Sequence, residues 1–372
     1  MSDKIKRFFE CLMPVTACNL KCNYCYVIQR DNGKMKMPQL KYSPQIIGKG
    51  LTKERLGGVC YFSICGAGET LLPKETIEIA YELLNNGHYV NLTTNGTLTK
   101  RFDEIIQFPK EFLERLHFAF SFHYNELVRL NMLNIFFENV RKVKKAGCSF
   151  LVQINLCDEY LEEWNEIKEL CISEIGASPQ VAATRDEDSN SGKIEKVEFL
   201  TNLEEQEYIN IGKEYKSPLF DFTVKNFNVK RREFCYAGDW SGTLDLGTGI
   251  LSKCYGPNKQ DIFKDISKTI DFSAIGKCNA LFCMNSSHFM SLGVIPEVDT
   301  PTYASLRDRE EAGWYSQRMK EFLNQKLKDN NNQYSCLKKK YIFIKTNIQI
   351  LYNKIKFGTK KIIKKVIKRA KK

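Results

Sequence analysis

Cys18-Asn19-Leu20-Lys21-Cys22-Asn23-Tyr24-Cys25-Tyr26 decides how the chain is read. Three thiols sit at spacings of four and three, directly after the apolar stretch 8–15. A thiolate trio on one tight loop is an incomplete metal site. Three thiolates hold three irons of a cubane [4Fe–4S] cluster and leave the fourth iron open to a ligand that is not protein. A zinc knuckle completed by a distant Cys or His is the alternative.

Composition narrows the class. The chain has 372 residues, enough for one large core and a smaller appendage. Fourteen cysteines without a secretion signal point to metal or redox chemistry rather than disulfides. No run of about 18 apolar residues occurs, so no plain helix spans a membrane. The net charge of +12 is local. Fourteen of the 56 Lys and Arg fall at 337–372, without one Asp or Glu, so residues 1–336 carry −2. A nucleic-acid footprint over the fold is therefore not expected.

Outward from the cysteine loop, apolar runs alternate with helical patterns. Strands are expected at 7–15, 59–65, 89–94, 116–122, 150–155 and 180–184. Helices are expected at 44–56, 74–85, 99–107, 126–146, 159–171 and 203–215. This alternation predicts a parallel sheet with crossover helices, whose chemistry gathers at the C-terminal strand ends. Residues 185–196 read as a charged loop or lid, 197–200 as a short strand and 218–232 as a linker. A cysteine-rich unit at 234–293 and an amphipathic helix at 303–327 follow.

Motifs fall at those strand ends. Cys65-Gly66-Ala67-Gly68-Glu69-Thr70 ends one strand, Thr93-Thr94-Asn95-Gly96-Thr97 the next, and Ser121-Phe122-His123 the next. Gln153 and Asn155 end the fifth, and Arg185 and Asp186 follow the sixth. Each has a plainer reading: a helix-start carboxylate, an Asn-Gly turn, a cap, buried strand polars, a solvated loop. Downstream, Cys235 is followed by Gly249, Cys254, Cys278 and Cys283, with 244–251 reading as a hairpin that brings the first two thiols together.

Together these stretches resemble the radical S-adenosylmethionine (SAM) enzymes, whose CxxxCxφC loop leaves an open iron for SAM. The resemblance covers about residues 8–290. It implies an α/β fold: a partial (β/α)6 TIM-like barrel with a small cysteine-rich α+β C-terminal extension and a basic helical tail. The expected division is 1–225 for the barrel, 226–300 for the extension, 301–328 for a helix and 329–372 for the tail. Cys18, Cys22 and Cys25 would hold the SAM-binding [4Fe–4S] cluster. Gly66, Gly68, Glu69, Thr94, Asn95, Ser121 and Gln153 would contact SAM, and Tyr24 would lie over its adenine. Ala67 and Thr70 depart from the family's usual Gly and Pro. The second cysteine set is similar to the opening of SPASM and twitch extensions, without the later SPASM cysteines. It implies one auxiliary [4Fe–4S] cluster on Cys235, Cys254, Cys278 and Cys283, with a Zn(Cys)4 site as the alternative. His123 and Arg185 are candidates to face substrate.

The implied activity is reductive cleavage of SAM to a 5′-deoxyadenosyl radical, which takes a hydrogen atom from a small-molecule or sugar substrate while the auxiliary cluster accepts a second electron. With so short an N-terminal lead, no peptide-recognition domain is expected. A peptide-modifying maturase is the second reading, and a non-catalytic zinc-binding interaction protein the third. Expected partners are a small-molecule or glycan substrate and a one-electron donor such as flavodoxin or ferredoxin. The isoleucines and lysines of 337–372 suggest an anionic membrane surface. No nucleic acid is expected; a cytoplasmic location is expected, with a peripheral place at the inner membrane face as an option.

Overall fold

A computed structural model describes residues 3–29, 35–186, 197–255 and 259–348. The loop 185–196 and the tail therefore lie largely outside the described residues. The strands β1 (Ile5–Met13), β2 (Val59–Gly66), β3 (Tyr89–Thr94), β4 (Leu116–Ser121), β5 (Ser149–Leu156) and β6 (Gln180–Ala183) pair in sequence order, all parallel. This is the partial (β/α)6 barrel. On the other side of β1 lies β7 (Ser241–Asp245), also parallel, followed by the antiparallel β8 (Ile250–Ser252) and β9 (Lys259–Asp261). The cysteine-bearing hairpin thus continues the barrel sheet, and β1 is central to both parts.

Strand alternation sorts the two faces. Phe118 and Phe120 of β4 turn outward against Phe102 and Phe136 of the crossover helices. On the other face Tyr61 of β2 meets Tyr303 and Phe322, which close the N-terminal end of the barrel. Phe322 also stacks on Tyr89, with centroids 3.6 Å apart and planes 5° apart. The segment 301–323 is therefore a plug, not the single helix expected at 303–327. Gly313 at φ 59° ends a 3-10 turn, and Ser316 caps a new helix, Gln317–Leu323. Between them the carbonyl of Trp314 accepts from Phe150 N at 3.0 Å. That carbonyl serves the end of β5 and is unavailable to a helix.

Other expected helices divide for local reasons. The stretch 44–56 becomes Pro44–Gly50 and Lys53–Leu56, because Thr52 caps the second piece, its side chain accepting from Arg55 N. The stretch 126–146 becomes Tyr124–Arg129 and Leu133–Lys145, broken at Asn131 with φ 54°. The expected linker 218–232 begins instead with the helix Pro218–Asn226. Ser217 caps it and also accepts from Val181 N of β6 at 2.9 Å, so this stretch belongs to the core. The strand expected at 197–200 is a single bridge between Arg185 and Phe199.

Candidate functional site

The cysteine loop leaves the C-terminal end of β1 and is seated by the turn after β2. Gly68 N donates to Val15 O at 2.8 Å, and Glu69 N to Ala17 O at 2.9 Å. A Cβ on Gly68 would stand 2.1 Å from Ala17 O, and one on Gly66 2.5 Å from Val15 Cγ1. These glycines are needed for the loop itself, whatever else they face. Glu69 is buried, its carboxylate accepting from Thr94 Oγ1 and Asn95 N, both at 2.7 Å, and from Leu71 N at 3.0 Å. Burial holds its pKa above the usual carboxylate range despite these donors. It ties the end of β2 to the end of β3.

Asn95 reaches the loop directly. Its Nδ2 donates to Asn19 Oδ1 at 2.8 Å and lies 3.8 Å from Cys18 Sγ, which also accepts from Leu20 N at 3.4 Å. Donors aimed at a thiolate are what a cluster ligand needs. Cys18, Cys22 and Cys25 are electrostatic neighbours, with Cys18 and Cys25 half-buried and Cys22 buried. Burial, then the other two thiols, push Cys22 up to about 12. Three thiols this close to one another fit a metal cluster that supplies the charge to compensate three thiolates.

Tyr24 is buried beneath the loop. Its hydroxyl meets His123 Nδ1 at 2.7 Å and Tyr160 OH at 3.1 Å. His123 is thereby engaged under the cysteines, and burial lowers its pKa to about 4. Ser121 and Gln153 are register partners on the inner face. With Cys65, Thr93, Ala119, Asn155 and Ala182 they form an inner-face layer near the C-terminal ends that is only partly buried, whereas Ser63, Asn91 and His117 one layer below are buried. The lumen is thus accessible on the cysteine-loop side. Arg185 stands at its far edge and donates to Met284 O at 3.1 Å, next to the second cysteine set.

The second set lies around one space. Cys235 pairs through its backbone with Gly276, Cys254 follows β8, and Cys278 and Cys283 bracket one loop. All four line one cavity of about 1320 Å³. Burial, then the neighbouring thiols, raise Cys235 to about 12, Cys254 to about 11 and Cys283 well above its ordinary value. Among the described residues no three His, Cys, Asp or Glu side chains converge as a single metal ion requires. Cys11, Cys60, Cys148, Cys157 and Cys171 are buried singly, and Cys336 is exposed.

Sequence reasoning missed Glu10. It lies mid-way along β1, buried, accepting from Tyr255 OH and from Asn285 Nδ2, the latter at 2.9 Å. Tyr255 follows Cys254, and Asn285 lies two residues after Cys283. One carboxyl thus clips both cysteine loops to the strand that leads to Cys18, and burial raises its pKa. The signal was present: a lone acid inside the apolar run Phe8-Phe9-Glu10-Cys11-Leu12.

Residues 12–171 match the Radical SAM superfamily. Among solved structures the chain is similar to Streptococcus suis SuiB bound to S-adenosylmethionine, at 13% identity and a TM-score of 0.48, covering 70% of this chain and 64% of that one. It is similar to native anSMEcpe with bound AdoMet and Cp18Cys peptide, at 15% identity and 0.45, covering 85% and 82%. It is also similar to BtrN in complex with AdoMet and 2-DOIA, at 11% identity and 0.35, covering 88% and 91%. The chain spans less than two thirds of SuiB's length. No curated protein matches the sequence.

Proposed function

Since residues 12–171 form a radical SAM domain, we propose that the chain is an oxidoreductase of that superfamily acting on a hydroxyl-bearing small molecule or sugar. Cys18, Cys22 and Cys25 hold the SAM-binding [4Fe–4S] cluster, and Cys235, Cys254, Cys278 and Cys283 hold one auxiliary [4Fe–4S] cluster. When bound, SAM on the first cluster would supply a 5′-deoxyadenosyl radical, with methionine as the leaving group, to take a hydrogen atom from a carbinol carbon, and the auxiliary cluster would accept the remaining electron, so that loss of the hydroxyl proton to solvent leaves a ketone. An external one-electron donor of flavodoxin or ferredoxin type would supply the reducing electron.

The chain's own residues position and shield. Asn95 and Leu20 N–H steady Cys18. Thr93, Ser121, Gln153 and Asn155 offer neutral hydrogen-bonding groups to hydroxyls in the lumen. Glu10, through Tyr255 and Asn285, keeps the second thiol set beside the same lumen. The observation that carries the reading is this last one: the strand that leads to Cys18 also holds, through Glu10, the loops of Cys254 and Cys283.

Anaerobic iron and sulfide analysis tests the assignment. The wild type should hold about eight irons, at four per cubane cluster, and Cys18/Cys22/Cys25→Ala and Cys235/Cys254→Ala about four each. A colourless zinc protein rejects it. SAM cleavage to 5′-deoxyadenosine with no oxidised product from any hydroxylated substrate would count against the oxidoreductase step alone.

A further inference from the structure

The helix at 336–348 has two faces with opposite surroundings. Ile342, Phe343 and Thr346 turn inward. Phe343 packs on Phe234 with ring centroids 5.6 Å apart, Thr346 Oγ1 donates to Ile275 O at 3.1 Å, and Ile342 lies against Gly276. On the other face Leu337, Tyr341, Ile344 and Ile348 are 80%, 64%, 60% and 63% exposed. At about 100° per residue these four fall within about 60° of one another, opposite the docked residues. Lys340 borders the stripe on one side, Lys338 and Lys345 on the other, and the helix has no acidic residue. A contiguous apolar stripe held out by a docked helix, and rimmed by charge, marks an interaction surface.

We propose that this stripe docks on an anionic lipid bilayer. The helix lies in the headgroup plane, its four apolar side chains entering the acyl boundary and its lysines reaching the lipid phosphates. Charge selects this occupant: residues 337–372 hold fourteen Lys and Arg and no acid, and Leu351 and Ile355 repeat the stripe's spacing in the sequence, outside the described residues. A second copy of the chain would bring two like-charged faces together. Among the described residues no helix is long and apolar enough to cross a membrane. Tyr341 and Ile342 also line the cavity of the second thiol set, so docking holds that unit beside the lipid surface. This inference is independent of the reaction performed in the barrel.

Co-sedimentation of the full-length, iron-loaded protein tests it, with vesicles of phosphatidylglycerol and phosphatidylcholine and with phosphatidylcholine alone. The wild type should bind only the anionic vesicles, less so as salt rises. The variant Leu337→Gln/Ile344→Gln/Ile348→Gln should keep its iron and bind at least about tenfold more weakly. Failure of the wild type to bind anionic vesicles overturns the proposal. So does a variant that binds as tightly as wild type, since the remaining basic residues would then suffice. Self-association without vesicle binding, lost in the variant, assigns the stripe to a second copy instead.

Discussion

At the scale of single residues, Gly68 has the most to say about the first cysteine set. Its missing side chain is what lets the turn after β2 lie against Ala17, one residue before Cys18. The contact at 2.1 Å is with backbone, which cannot swing aside as a side chain would. Gly68→Ala should therefore lift the cysteine loop off its seat. Iron should fall from about eight to about four per chain, the loss confined to the first cluster. Retention of all eight would show that the loop finds its geometry without this turn. The residue scale also shows what the sequence made legible. Cys18, Cys22 and Cys25 were readable because their spacing is local. Gly68 is expected from the resemblance to contact SAM, and the structure gives it a second role, seating the turn on Ala17. Glu69 is expected from the resemblance beside SAM, and in the structure its carboxylate also accepts from Leu71, Thr94 and Asn95. Such roles depend on which loops meet, and spacing does not encode that.

At the scale of elements, the six parallel strands were legible because each is a short apolar run bounded by polar turns. Their helices were legible where caps are local and were over-extended where a tertiary bond intervenes, as at Trp314. The hairpin β7–β8 joins the two kinds of information. Asp245 Oδ1 accepts from Gly247 N at 2.9 Å and Thr248 N at 3.2 Å, closing the turn. Gly249 then adopts φ 75°, and a Cβ there would lie 2.8 Å from Phe263 and from Tyr42. The glycine between Cys235 and Cys254 thus sets the turn that delivers Cys254. Gly249→Ala should cost about 1–2 kcal/mol in backbone strain alone, with the two ring contacts adding to it. Lower thermal stability together with loss of about four irons is the expected result. Unchanged iron with lower stability would detach the turn from the metal site.

At the scale of the whole molecule, burial of ionisable groups couples stability to pH. The chain has four histidines, none of them exposed in the described structure. Burial lowers His88 to about 4 and His117 to about 3, and drives His288 well down. In the unfolded chain each takes up a proton below about 6.5. Between the folded and unfolded values the unfolded state binds more protons, so stability falls as pH drops from about 6.5 towards 4. The raised carboxyls Glu10 and Glu69 act in the opposite sense, favouring the fold as pH falls, and soften the decline. By pH 5 His88 and His117 should each cost about 2 kcal/mol. His117 is the site to test. Its Nδ1 meets Tyr61 OH at 3.1 Å, its Nε2 has no hydrogen-bond partner among the described residues, and Tyr315 packs against its ring at 4.8 Å. His117→Phe fills the same aromatic site without a titrating group. At pH 7 the variant loses the bond to Tyr61, about 1 kcal/mol. At pH 5 that deficit should shrink or reverse, because only the wild type pays for protonation. Thermal unfolding of both proteins, followed by tryptophan fluorescence at the two pH values, reads the difference. Acid damage to the clusters is common to both and cancels. A gap between wild type and variant that stays the same at pH 7 and pH 5 would mean that His117 does not contribute to the acid limb of stability.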